Sequence, residues 1–168
     1  MMSPEHTEHI SCLMQAINGD IKPDRTLGIS PVDYKRSALD MLNKVKIPLG
    51  LTNIVMEVVS KFKDSQQNEY VQKVCEEILT NRSEHIGFIS CFTEAMNGGI
   101  KPDRTLGISP VDYNRSALDM LNKIIIPLGL INIVKNTVRE FLKSQKNEHV
   151  KKVCREILGR EIESPVAV

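Results

Sequence analysis

KPDRTLGISPVDYKRSALDMLNK, residues 22–44, returns as KPDRTLGISPVDYNRSALDMLNK at residues 101–123, with Lys35 against Asn114 as the only difference. The offset of 79 residues also holds outside this block: Ile10, Ser11 and Cys12 align with Ile89, Ser90 and Cys91, and Cys75 aligns with Cys154. The chain therefore reads as two copies of one unit, residues 1–82 and 83–168. A unit of that size can hold a small core, but it is marginal alone unless disulfides or a partner add stability. A twin in the same chain supplies such a partner.

The block contains a helix with its start signal. Ser30 can accept from an exposed backbone N–H, Pro31 suits the first helical position, and Asp33 favours the positive end of the helix dipole. Ser109, Pro110 and Asp112 repeat the signal. Downstream, Tyr34, Ala38, Met41, Leu42 and Val45 fall on one face until Pro48 and Gly50 stop the helix. Leu51, Ile54, Val55, Val58, Val59 and Phe62 predict a third helix, which the polar run KDSQQNE ends. Val71, Val74, Cys75 and Ile78 predict a fourth, and Ile10, Leu13 and Ile17 a first that turns at Asn18 and Gly19. The β-branched stretches at 54–59 and 124–134 do not alternate with period two, so strands are not predicted. The expected fold is all-α: two tandem four-helix units packed as a pseudo-dimer. Helix four of the first copy could run straight into helix one of the second, or turn near Asn81 to Ser83.

Composition excludes several classes. With 41% hydrophobic residues, 26% charged and a net charge of +1, no strong pull towards nucleic acid or anionic membranes is expected. The longest apolar stretch, Ile124 to Val134, contains Pro127 and falls short of the roughly 18 to 20 residues that span a bilayer. The polar start MMSPEHTEH lacks the apolar run of a secretory signal.

Catalytic signatures are missing too. His6 and His9 form an H-x-x-H pair, but the second copy keeps only His85 and no cysteine or carboxylate of metal spacing accompanies them, so no metal site is expected. There is no phosphate loop, no G-x-S-x-G elbow and no C-x-x-C. Asp24 with Arg25, and Asp103 with Arg104, read as loop charges that are solvated or cap neighbouring helices rather than as catalytic groups. A non-enzymatic protein without a cofactor is expected.

The four cysteines allow three pairings. Cys75 and Cys154 lie on inward helix faces, as buried thiols of a cytosolic protein would. Cys12 and Cys91 lie towards the edges of theirs, which fits a disulfide from helix one to helix four closing a loop of about 60 residues, and with it an extracellular setting.

GISPVDY, the SALDML helix, the LTNIVMEVVSKF helix and the YVQKVCEEIL helix together resemble the secretoglobins, the group of uteroglobin and the major cat allergen. The resemblance covers Cys12 to Leu79 and Cys91 to Leu158. It implies secreted four-helix units that pair around an apolar cavity, with Tyr34 and Tyr113 at the position of the cavity tyrosine and Cys12 and Cys91 at that of the opening cysteine. The fused copies would then enclose a site for a small hydrophobic molecule, between or within the repeats, lined by Tyr34, Leu42, Ile54, Val58, Phe62, Tyr113, Leu121, Ile133 and Phe141. A filled core is the alternative for these same residues. Two other functions compete: an intracellular protein-interaction module, because DYNRSALDMLNK also resembles the N-terminal helical domain of the transcription elongation factor S-II group, and a secreted structural or surface-active protein. Assembly into a homo-oligomer is compatible with each.

Overall fold

Ser30 opens the repeated helix as its sequence predicts: its Oγ accepts from the Asp33 amide at 3.3 Å, with Pro31 in the first turn, and Ser109 does the same for Asp112. The structure, a computed structural model, describes residues 4–80 and 86–160. The helices of the first half are α1 (Pro4–Asn18), α2 (Pro31–Lys44), α3 (Thr52–Asp64) and α4 (Glu69–Thr80). Those of the second are α5 (Phe88–Asn97), α6 (Pro110–Lys123), α7 (Ile131–Lys143) and α8 (Glu148–Leu158). Among the described residues there is no strand, and extended pairing amounts to one isolated parallel bridge, Val45 with Ile86. The fold is all-helical.

The other helix ends have local causes. Gly19 and Gly98, with φ of +86° and +90°, turn the chain after α1 and α5 in a conformation that side chains resist. Asn68 accepts from the Tyr70 and Val71 amides at 2.8 and 3.0 Å, and Asn147 from His149 and Val150 at 2.8 and 3.1 Å, so each polar run before α4 and α8 ends in a side-chain cap. α4 stops at Thr80 and α5 starts at Phe88, so the two are separate helices; the predicted turn at 81–83 and the boundary at 82/83 lie outside the described residues.

Within the first half α1 and α4 each pack on both α2 and α3, which places α1 and α4 at opposite corners; α5 and α8 stand in the same relation around α6 and α7. Ile10, Leu13, Ile17, Ala38, Met41, Leu42, Val55, Val59, Val71, Val74 and Ile78 are buried, as the periodicity predicts. Each such Val, Leu, Ile or Met side chain adds roughly 1.5 to 3 kcal/mol on burial.

Two expectations are corrected here. Ile54 and Ile133, predicted inward, are 48% and 56% exposed. The inward stripe of α3 is narrow, Val55, Val59 and Phe62, and one residue of helical rotation carries Ile54 out of it. The disulfide between helix one and helix four is not formed: among the described residues all four cysteines, Cys12, Cys75, Cys91 and Cys154, are buried thiols. Opposite corners of a bundle keep their backbones farther apart than a bridge can span.

Candidate functional site at the contact between the halves

The two copies of the 22–44 block meet each other. α2 packs on α6, α1 also reaches α6, α5 reaches α2, the 3-10 turn at Arg25–Leu27 touches α8 and its counterpart at Arg104–Leu106 touches α4.

Carboxylates from the middle of the two helices anchor this contact. The Tyr34 hydroxyl donates to Oδ2 of Asp119 at 2.6 Å, and Tyr113 donates to Oδ2 of Asp40 at 2.6 Å. Each carboxylate also pairs with the lysine one turn on, Lys123 for Asp119 and Lys44 for Asp40, and each lysine stands 5.7 Å from the ring centre of the tyrosine concerned. The second carboxylate oxygen accepts a backbone amide from the opposite half: Asp24 N to Asp119 at 3.0 Å and Asp103 N to Asp40 at 3.1 Å. Asp40 and Asp119 are 2% and 3% exposed, so this full set of partners offsets their desolvation.

A second ring of bonds surrounds the first. Arg36 donates to the Leu106 carbonyl and Arg115 to the Leu27 carbonyl, both at 2.9 Å. Ser30 N donates to Asp112 at 3.3 Å and Ser109 N to Asp33 at 3.2 Å. The receiving loops are shaped by Asp24 and Asp103, whose carboxylates accept from the amide and hydroxyl of Thr26 and Thr105; those bonds hold both carboxyls below the ordinary range. Asp24 and Asp103 thus cap the short 3-10 turns that follow them. Gly28 and Gly107 close the turns at φ of +69° and +68°, beside the incoming arginines.

Equivalent residues of the two copies recur on α2, α6 and their neighbours. His9 and Phe88, 79 positions apart, touch edge to face at 5.4 Å, with His9 Nε2 bonded to the Ile125 carbonyl at 3.1 Å. Asp33 and Asp112, each accepting an amide from the other half, are near enough that burial first and the Asp33 carboxyl next raise the Asp112 carboxyl. Ser37 and Ser116 stand midway along their helices between the tyrosine and the aspartate, fully buried, and neither hydroxyl has a hydrogen-bond partner.

Burial and the adjoining carboxylates raise both tyrosine hydroxyls far above the range in which they could ionise. Burial likewise pushes Cys75 and Cys154 up to about 11 and Cys91 up to about 12, which makes them poor nucleophiles. Among the described residues no cluster of three or more His, Cys, Asp or Glu could hold a metal, and no helix is long and apolar enough to cross a membrane.

Of the residues expected to line a ligand cavity, Tyr34 and Tyr113 come together at this contact. Leu42 and Leu121 are wholly buried, Phe62 and Phe141 nearly so, Val58 is half-buried, and Ile54 and Ile133 lie outside. Phe62 borders a groove of about 380 Å³, which Ile17, Asn18, Asp20, Lys35, Lys61, Ser65 and Gln66 complete. A second depression, about 470 Å³, lies between the halves beside Ser11, Cys12, Gln15, Ile21 and Lys123. Sequence reasoning missed Asp40, Asp119, Arg36 and Arg115. Their signal was an aspartate set among apolar positions of a helix, twice.

Comparison with known protein families, curated proteins and solved structures finds no match to this chain.

Proposed function

We propose that the chain is a non-enzymatic pseudo-dimer, two four-helix units related by a pseudo-twofold, that serves as a helical protein-interaction module in a reducing compartment. The observation that carries this reading is the reciprocal pair Tyr34–Asp119 and Tyr113–Asp40, each residue bonding to the other half as its equivalent does. Contacts between equivalent residues, His9 with Phe88 and Asp33 with Asp112, support an axis through the middle. Four buried thiols favour the interaction module over secretion, because the extracellular reading leaned on disulfides. Most polar groups that cross the contact, Tyr34, Asp40, Arg36 and their counterparts, are bonded to the opposite half. Cross-linking mass spectrometry on the chain at its native level in cells tests this: protein partners joined through exposed helix faces are the expected result, and a chain recovered only in secretions with oxidised cysteines would refute it.

A second reading, a secretoglobin-like carrier for a small hydrophobic molecule within the first repeat, rests on the groove that Ile17 and Phe62 border, although the rest of its lining is polar. A fluorescent fatty acid or steroid probe binding with Phe62-dependent affinity is the expected result there; silence across a panel of apolar probes would remove it.

A further inference from the structure

We infer that the contact between the halves is exchangeable between molecules, so that the chain takes a second copy of itself as partner, the first repeat of one molecule docking on the second repeat of another. This rests on the pseudo-dimeric reading above.

The copies are nearly identical in the block that supplies α2 and α6 to the contact and diverge more elsewhere. In residues 22–44, which supply α2 and its approach loop to the contact, 22 of 23 positions match the second copy, whereas in residues 45–79 only 21 of 35 do. The single exception in the block, Lys35, lies against Gly19 and the groove of its own bundle rather than against the other half. Every side chain that crosses the contact through α2 and α6 therefore faces the same chemistry whichever molecule supplies it: Tyr34 needs an Asp119, Arg36 a Leu106 carbonyl, Asp33 a Ser109 amide. A surface complementary to its own copy cannot tell the covalent neighbour from another chain.

Exchange also preserves the remaining contacts. The bridge in which Lys46 N donates to the Ile86 carbonyl at 2.8 Å, and Ile86 N to the Lys44 carbonyl at 3.1 Å, belongs to the same face and reforms between molecules. Closed and exchanged forms differ in whether the two repeats that dock belong to one chain or to two. What favours the closed monomer is the effective concentration of a short tether, on the order of millimolar. Near that protein concentration, or when unfolded chains refold together, the exchanged dimer competes.

The test refolds an equimolar mixture of ¹³C-labelled and unlabelled full-length chain from denaturant at about 1 mM and about 1 µM, bracketing that effective concentration. Native mass spectrometry should give a species of twice the monomer mass, including mixed-label dimers, at the higher concentration and monomer at the lower. In the mixed dimer, an isotope-filtered NOE should join the Tyr34 ring of one chain to the Lys123 side chain of the other. Monomer alone at both concentrations would overturn the inference, and so would a dimer in which that NOE stays within a chain. Absence of a Tyr34–Lys123 NOE from an unfiltered spectrum of the monomer would instead overturn the pseudo-dimeric reading beneath it.

Discussion

The Tyr34 hydroxyl and the Asp119 carboxylate, 85 residues apart in sequence, lie 2.6 Å apart at the centre of the molecule, and Tyr113 with Asp40 repeats the distance. The two pairs have the same surroundings, so their removal should cost the same. Tyr34→Phe and Tyr113→Phe are each expected to destabilise the chain by roughly 1.5 to 3 kcal/mol, the worth of a buried hydrogen bond to a charged group. Urea denaturation of the two variants checks this; markedly unequal costs would mean the halves are not equivalent at this point.

Ser37 and Ser116 set the opposite expectation. Both hydroxyls are buried without a partner. Replacing both with alanine removes two unsatisfied groups and also favours the helix, so Ser37→Ala with Ser116→Ala should stabilise the chain by about 1 kcal/mol per site. A lowered Tm would reveal a partner for these hydroxyls, such as a bridging water.

Acid titration should separate two kinds of aspartate. Asp24 and Asp103 have lowered carboxyls because Thr26 and Thr105 donate to them, so their stabilisation is present above the ordinary value of 3.8 and lost as pH falls through their folded values. Asp112 is raised by burial and by Asp33, with Ser30 N and Arg115 opposing. The folded state holds its proton more tightly than the unfolded, so stability from this site is greatest below 3.8 and falls as pH rises through the raised value. Asp112→Asn should therefore raise Tm at pH 7 and gain progressively less towards pH 3, as a Tm series across that range would record.

The cysteines make a chemical prediction. With no bridge and with burial raising three of the thiols, the purified chain should show its fully reduced mass. Iodoacetamide at pH 8 should label none of the four in the native protein within minutes and all four in denaturant. A mass short by four protons would restore the disulfide reading.

The local structure was legible in the sequence because its causes are local. Ser30 and Pro31 start α2, Gly19 ends the first turn, and the apolar spacing of α1, α2 and α4 gives the faces they bury. α3 was read too broadly, since a β-branched run makes every face look apolar and only packing showed that Ile54 lies outside. The contact between the halves was legible only as a repetition. Asp40 is one charged residue within an apolar helix face, and nothing in its neighbours names a tyrosine 73 residues away. The cysteines misled because helix periodicity gives a face but not which helices stand side by side.

A double-mutant cycle on the full chain, Tyr34→Phe with Asp119→Asn, measures whether the halves are locked to each other. If the hydroxyl and the carboxylate hold the two repeats together, the pair should show a coupling of roughly 1 to 3 kcal/mol in chemical denaturation, although the residues belong to different repeats. Strictly additive costs would mean that the two side chains do not meet, and would contradict the contact on which the account is built.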